Sequence, residues 1–272
     1  MLEVGERYRT LPLKYSVHWP GPLSQNLASE DTFMQHWSVA VVGLFWFVAS
    51  FLAKLPVARA AERPAVVELF TSEGCSSCPP AEAYIGELAA RPDVLPLAFH
   101  VDYWDETGWR DRFELRIATP RQRKYQQVLR LANAYTPQVI LDGRGDYVGS
   151  SRAAIESALE KPREAVPVTL SIAGGEIHVS LESSELGRGT EVLLVSYLRK
   201  AVSPIGRGEN AGRTLEEFNI VRSLSTLGRW DGSKHEFLTR LDSLPRDATD
   251  VAVLVQASGQ GAIIGAAMSP LR

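Results

Sequence analysis

A chain of 272 residues, 45% hydrophobic and 22% charged, has the composition of a folded protein, with room for one large domain or two ordinary ones. Its formal charge of −3 comes from 29 basic and 32 acidic residues that are interspersed, which leaves no electrostatic footprint for nucleic acid. Two cysteines are too few for a disulfide scaffold.

Residues 1–60 read as an address rather than a domain. The run 39–53 is 15 apolar, uncharged residues, followed by Lys54 and by Ala58-Arg59-Ala60. A membrane span needs about 20 such residues, whereas a signal-peptide core is this short. The expectation is cleavage near Ala61, with Met34 as the true start and an export route to the periplasm or beyond. An uncleaved signal anchor is the alternative, and a membrane is otherwise not expected as a partner.

Residues 66–70 form a β-branched, apolar strand, and 77–90 a helix whose first turn tolerates Pro79 and Pro80. Residues 94–101 are a second strand, apolar enough to be buried on both faces. A polar, aromatic stretch at 102–112 precedes a helix at 120–133, where Arg121, Arg123, Lys124 and Arg130 are expected on a solvated face. Residues 138–141 are a strand, Asp142-Gly143-Arg144-Gly145 a hairpin turn, and 146–149 its return. Ser151 is placed to cap a helix over 152–161. The order β-α-β-α-β-β-α predicts a three-layer α/β domain over 64–162.

Pro162 and Pro167 mark a change to strands at 168–172, 177–182, 191–199, 251–257 and 262–268. Alternation along 176–181 gives one buried and one wet face. Short strands at this spacing predict an all-β, sandwich-like domain over 165–272. Residues 206–215 are a Gly-rich loop. A polar loop there could reach the cysteines, but the simpler expectation leaves Asn210 and Arg213 out of contact with them.

Both cysteines lie in Cys75-Ser76-Ser77-Cys78, between the first strand and the first helix. Exposed N–H groups and the positive dipole end of a helix favour a thiolate there, the attacking form in disulfide exchange. Cys75, at the turn, is the expected nucleophile with an accessible sulfur, and Cys78 the resolving thiol. A bridge across so few residues closes too small a loop to stabilise much. Two thiolates with His100 could instead hold a soft metal such as Cu(I), but no second Cys-x-x-Cys completes a zinc site. No metal or cofactor is therefore expected. His100 and Asp102 are expected to share a strand face at the C-terminal end of the second strand, as a structural pair or loop anchor, with a place on the site rim or in catalysis as the alternative, and Tyr103, Trp104 and Trp109 to rim the site or pin its loop.

With Cys75-Ser76-Ser77-Cys78-Pro79 after strand one and Thr136-Pro137 before strand three, the first domain resembles the thioredoxin fold. The wording from Val67 to Ala81, with Phe99-His100-Val101-Asp102-Tyr103-Trp104-Asp105, Thr136-Pro137-Gln138 and Gly208-Glu209-Asn210-Ala211-Gly212-Arg213-Thr214-Leu215, is similar to the secreted, thioredoxin-like family of domain-of-unknown-function 1223. The resemblance implies a cis bond at Pro137, with Thr136 offering its backbone to a substrate chain. It also implies a buried acid near Glu68 that moves the proton of the cysteine pair, the alternative being a strand-edge glutamate that faces water. Gly74 and the Ser-Ser dipeptide depart from the thioredoxin pattern and leave the direction of electron flow open. The functional expectation is an exported thiol-disulfide exchanger acting on protein or small-thiol partners. With no third cysteine, a separate redox partner must recycle it. The alternative is a metal-binding or partner-binding module without redox turnover.

Overall fold

The structure is a computed structural model that describes residues 63–271. The leader, its apolar core at 39–53, its cleavage site and the choice of start lie outside the described residues. Among the described residues no helix is long and apolar enough to cross a membrane.

Strands β1 (Ala65–Thr71) and β2 (Val94–His100) pair in parallel and are joined by α1 (Pro79–Ala89). Both strands are buried at every position, as their unbroken apolar runs require. Alternation divides β1 between two layers. Ala65, Val67 and Leu69 pack with Ala81, Ile85 and Leu88 of α1. Val66 and Phe70 face the other way, toward Tyr125 of α2 (Ala118–Val128). Strand β3 (Gln138–Leu141) runs antiparallel to β1, and β4 (Gly145–Val148) antiparallel to β3. Asp142 (φ 49°) and Gly143 (φ 65°) take the two left-handed central positions of a β-turn that the Arg144 N–H closes onto the Leu141 carbonyl (2.9 Å). Helix α3 (Arg152–Leu159) begins after Ser151, whose side chain makes no capping bond.

The order β-α-β-α-β-β-α is therefore present, with one shortened helix. Helix α2 stops at Val128, and Arg130 (φ 56°) turns the chain out of it. Arg121 also corrects the solvated face expected of this helix: it points inward and is 5% exposed, while Arg123 and Lys124 face water.

Beyond Pro162, β5 (Val168–Ala173), β6 (Glu176–Leu181) and β9 (His235–Arg240) make a three-stranded antiparallel sheet. Its apolar face (Ile177, Val179, Leu181) packs on Val192 and Leu194 of β7 (Thr190–Pro204) and Val251, Val253 and Val255 of β10 (Asp250–Ala257). Two sheets face to face are what the alternation predicts. The larger one, however, continues across the boundary expected at 162–165. Strand β8 (Thr214–Trp230) meets β2 in parallel, with Ala98 opposite Ile220. With β11 (Ile263–Pro270) the order becomes β11-β10-β7-β8-β2-β1-β3-β4. The protein is a mixed α/β structure built on one large, mostly β sheet.

Strands β8, 17 residues long, and β9 are not among the expected strands. Asn219 (φ 46°) interrupts β8, and two register shifts against β7 break the period of two that marks a strand. The outer arms of this β7–β8 hairpin reach over α1. Phe218 lies so close to Gly86 that a Cβ there would come within 2.7 Å of its ring. The hairpin tip, residues 205–213, is thereby delivered to the cysteines.

Candidate active site at the cysteine pair

Cys75 and Cys78 form a disulfide, with their Cα atoms 5.4 Å apart. Cys78 is the N-cap residue of α1, as the strand–turn–helix order predicts. Two expectations need correction. Pro79 and Pro80 open the helix and carry no N–H, so the dipole acts here with fewer donors than an ordinary first turn offers. The sulfur of Cys75 is also not accessible: the residue is 0% exposed, although Ser76 and Ser77 between the cysteines face water.

The cover is the hairpin tip. Asn210 Nδ2 donates to the carbonyls of Glu73 (2.9 Å) and Cys75 (3.0 Å), and the Ser76 N–H donates to Glu209 Oε2 (3.2 Å). Arg213 donates to Asn210 Oδ1 and holds that amide in place. The expectation that Asn210 and Arg213 stay clear of the cysteines is thus overturned. A Gly-rich loop carries no periodicity from which its docking site can be read. Trp109 packs beneath the tip against Gly208, and its Nε1 donates to Glu73 Oε2 (2.7 Å).

The peptide bond between Thr136 and Pro137 is cis. Trp104 ties this bond to the cysteine turn: its Nε1 donates to Thr136 Oγ1 (2.8 Å), and its Cβ would lie 3.1 Å from a Cβ at Gly74. Pro137 approaches the first turn of α1 across Gly149, where a Cβ would lie 2.9 Å from Pro137 and 3.0 Å from Ala81. Cys75, Cys78, Trp104, Thr136 and Pro137 are therefore neighbours.

His100 and Asp102 are not a pair. Strand β2 ends at His100, so Asp102 leaves its face and accepts from Thr119 Oγ1 (2.6 Å) in an exposed position. Tyr103 lies beyond it, its hydroxyl on Gln122. Glu68 is buried, but on the face of β1 turned away from α1. Arg121 Nε donates to its Oε1 (2.6 Å), and the hydroxyl of Tyr125 donates to Oε2. Gln256 completes this closed network, accepting from Arg121 and donating to Tyr125. A carboxylate so engaged is a structural ion pair, which corrects the proton-moving role expected of Glu68.

The acid on the cysteine side is Glu82, one helical turn beyond Cys78. It is 5% exposed, and neither carboxyl oxygen meets a donor at hydrogen-bonding geometry; the Thr71 hydroxyl, likewise without a partner, faces it and favours its charged form. Opposite it, His100 is 0% exposed; its Nε2 also lacks a hydrogen-bond partner and lies 3.9 Å from Glu82 Oε1 and 4.0 Å from Glu217 Oε1. Asp111 Oδ2 bonds to His100 Nδ1 (2.8 Å) and accepts from the Glu73 N–H (2.8 Å). Ser203 donates to Glu217.

Electrostatics follow from this crowding. Burial raises the pKa of Glu82, opposed by the charge of His100. Burial alone would lower His100, but Asp111 with Glu82 and Glu217 outweighs it and pushes the imidazole up to about 10. Burial likewise lifts Glu217 to about 7 against the pull of His100. Asp111, held by His100 and two backbone N–H groups, ends below the usual carboxylate range despite its burial. The periodicity that puts Glu82 seven residues after Cys75 and four after Cys78 was the signal for it in the sequence. Asp111 and Glu217 carried none. Among the described residues no three potential ligands converge to hold a metal ion.

A family model described as Protein of unknown function (DUF1223) matches residues 66–256. The chain belongs to this family. The DUF1223 match spans both halves of the large sheet and includes the cysteines, Glu82, Pro137, Asn210 and Glu217. The chain is also similar to an Agrobacterium tumefaciens protein solved by X-ray crystallography, with TM-score 0.67 and 32% identity, over 77% of this chain and 95% of that one. HBP35 of Porphyromonas gingivalis is similar in fold, with TM-score 0.53 and 18% identity, over 77% of this chain and 76% of that one. No curated protein sequence matches.

Proposed function

We propose that this member of the DUF1223 family is an exported thiol-disulfide exchange protein whose working couple is Cys75 and Cys78. The observation that carries the reading is the bridge itself: a disulfide across four residues at the start of a helix, beside a cis-proline and a buried acid–imidazole cluster. So short a bridge removes little entropy from the unfolded chain, which argues against a stapling role. The β2-β1-β3-β4 order with α1 leaving β1 through the cysteines supports a thioredoxin-like first half. A disulfide is compatible with an oxidising compartment.

In the exchange, a partner thiolate attacks the Cys75 sulfur, the S–S bond breaks, and Cys78 leaves as a thiolate that takes up a proton. A second partner thiol then attacks the mixed disulfide, displacing the Cys75 thiolate, which takes up the second proton. Two electrons and two protons pass to this chain, and a partner disulfide is formed. The reverse order oxidises a partner. Either direction requires the tip at 205–213 to withdraw, because Cys75 is covered in the disulfide form. In this reading Thr136 would offer its backbone edge to a substrate chain.

Trapping tests the reading. Cys78→Ser leaves Cys75 unable to resolve a mixed disulfide, so adducts through Cys75 are expected to accumulate and to be released by dithiothreitol. Absence of any adduct would favour a static bridge in a binding module, the reading that the burial of Cys75 supports.

A further inference from the structure

Resting on the exchange reading, we infer that the hairpin tip at 205–213 is a redox-governed cover, which grips the disulfide form and releases the dithiol form. The tip is a small body with its own closure. Ile205 N–H donates to the Arg213 carbonyl (2.9 Å) and Gly212 N–H to the Ile205 carbonyl (2.8 Å), which pinches the neck. Ala211 N–H donates to Gly208 and Arg213 N–H to Asn210, which close the turns above it. The arms below are tied down separately. Asn219 Nδ2 donates to the Pro96 carbonyl (2.9 Å), and Arg112 donates to the Val202 carbonyl (2.8 Å). Lifting the tip therefore leaves β7 and β8 paired.

What the tip holds is the backbone of the cysteine turn. Its hydrogen bonds end on the Glu73 and Cys75 carbonyls and on the Ser76 N–H. The bridge sets where those groups lie. Cys75 N–H donates to the Ser72 carbonyl (3.1 Å), and the Cys75 carbonyl accepts from Cys78 N–H (3.2 Å) as well as from Asn210. Two thiols need more room than a disulfide, because their sulfurs stand apart at van der Waals separation and each carries a hydrogen. Cys75 is 0% and Cys78 1% exposed, so a close-packed site has no spare volume for that expansion. Strand β1 and helix α1, which flank the turn, are locked in one apolar core. The tip is held by directional bonds, which fail once their acceptors turn, and by the contact of Gly206 and Gly208 with Trp109. The tip is the wall that yields. Reduction breaks the S–S bond and adds two electrons and two protons, all from two partner thiols that become a disulfide. Access is thereby asymmetric: the disulfide is sheltered from small thiols, and the dithiol stands open to a partner's disulfide. The coupling is reciprocal, so a tip that prefers the disulfide form also lowers the reduction potential.

The test compares amide hydrogen exchange, read by mass spectrometry, in the oxidised full chain and in the same chain held reduced by dithiothreitol. Peptides over 205–213 and 72–78 are expected to exchange about 5- to 150-fold faster in the dithiol form, the span of ordinary coupling energies. A peptide over 176–181, in the other sheet, should exchange alike in both forms. Equal protection of the tip in the two forms, or a loss shared by 176–181, would overturn the inference. Reciprocity supplies the second arm. Asn210→Ala is expected to raise the midpoint potential by about 30 mV, which is tenfold in the equilibrium constant. Asn210→Asp, which sets a carboxylate against both carbonyls, should raise it at least as far. Unchanged midpoints in both variants would mean that the tip grips the two forms equally, and would overturn the inference. Should the variants fail to fold, hydrogen exchange in the parent decides alone. A reversible dithiol transition with an indifferent tip would sink the cover and leave the exchange reading standing. No reversible transition at all would sink both.

Discussion

Two buried acids on opposite faces of the same sheet, Glu68 and Glu82, have met burial in opposite ways. Glu68 is enclosed by Arg121, Tyr125 and Gln256 in a network whose donors are matched to its oxygens. Glu82 shares its pocket with an imidazole and three other carboxylates, and the one hydroxyl facing it, that of Thr71, does not reach hydrogen-bonding geometry. Burial alone therefore does not mark a functional acid. A carboxylate whose oxygens are matched to donors can be buried charged, and one without such donors is pushed by desolvation toward its neutral form.

The largest expected effect lies on the satisfied side. Arg121→Ala leaves Glu68 buried without its counter-charge and should cost about 3–5 kcal/mol in denaturant unfolding. A cost below about 1 kcal/mol would mean that Glu68 is not held as described.

On the unsatisfied side the contrast appears as pH dependence. Glu82 and Glu217 have folded-state pKa values above their unfolded ones, so the folded state binds more protons than the unfolded state above about pH 4.5. Stability must therefore fall as pH rises, for Glu217 between about 4.5 and about 7 and by a total on the order of 3 kcal/mol. His100, raised from 6.5 to about 10, acts in the same direction over that higher range. Unfolding midpoints measured from pH 5 to 9 should decline, and Glu217→Gln should flatten the lower part of the decline. A rise with pH would contradict the cluster.

Smaller effects belong to the covering tip. Asn210→Ala removes two bonds to buried carbonyls and should cost about 1–2 kcal/mol, while speeding reduction of the disulfide by dithiothreitol. Glu209→Gln, at a fully exposed group, should leave the unfolding midpoint unchanged and alter reduction less than Asn210→Ala does.

The first half of the molecule was legible because its signals are local. Apolar runs marked β1 and β2, Asp142-Gly143 fixed a turn, and Cys-x-x-Cys before a helix placed Cys78 at its cap. What could not be read depends on distant pairing. Nothing local in residues 214–230 shows that Ile220 will meet Ala98, so the joining of two expected domains into one sheet was hidden. The same pairing brings Glu217 to His100 and Asn210 to Cys75, which is why half of the candidate site was missed. Glu68 was misjudged for a simpler reason. Its burial was legible, but its partner Arg121 had been assigned to the solvated face of α2.

The most direct test of the account is a redox titration of Cys75 and Cys78 in thiol–disulfide buffers, with thiols counted by alkylation. The account predicts a reversible two-thiol transition with a midpoint between about −270 and −120 mV, the range of exchange proteins. A bridge that stays closed below about −300 mV would be a structural disulfide, and its persistence there would contradict the account.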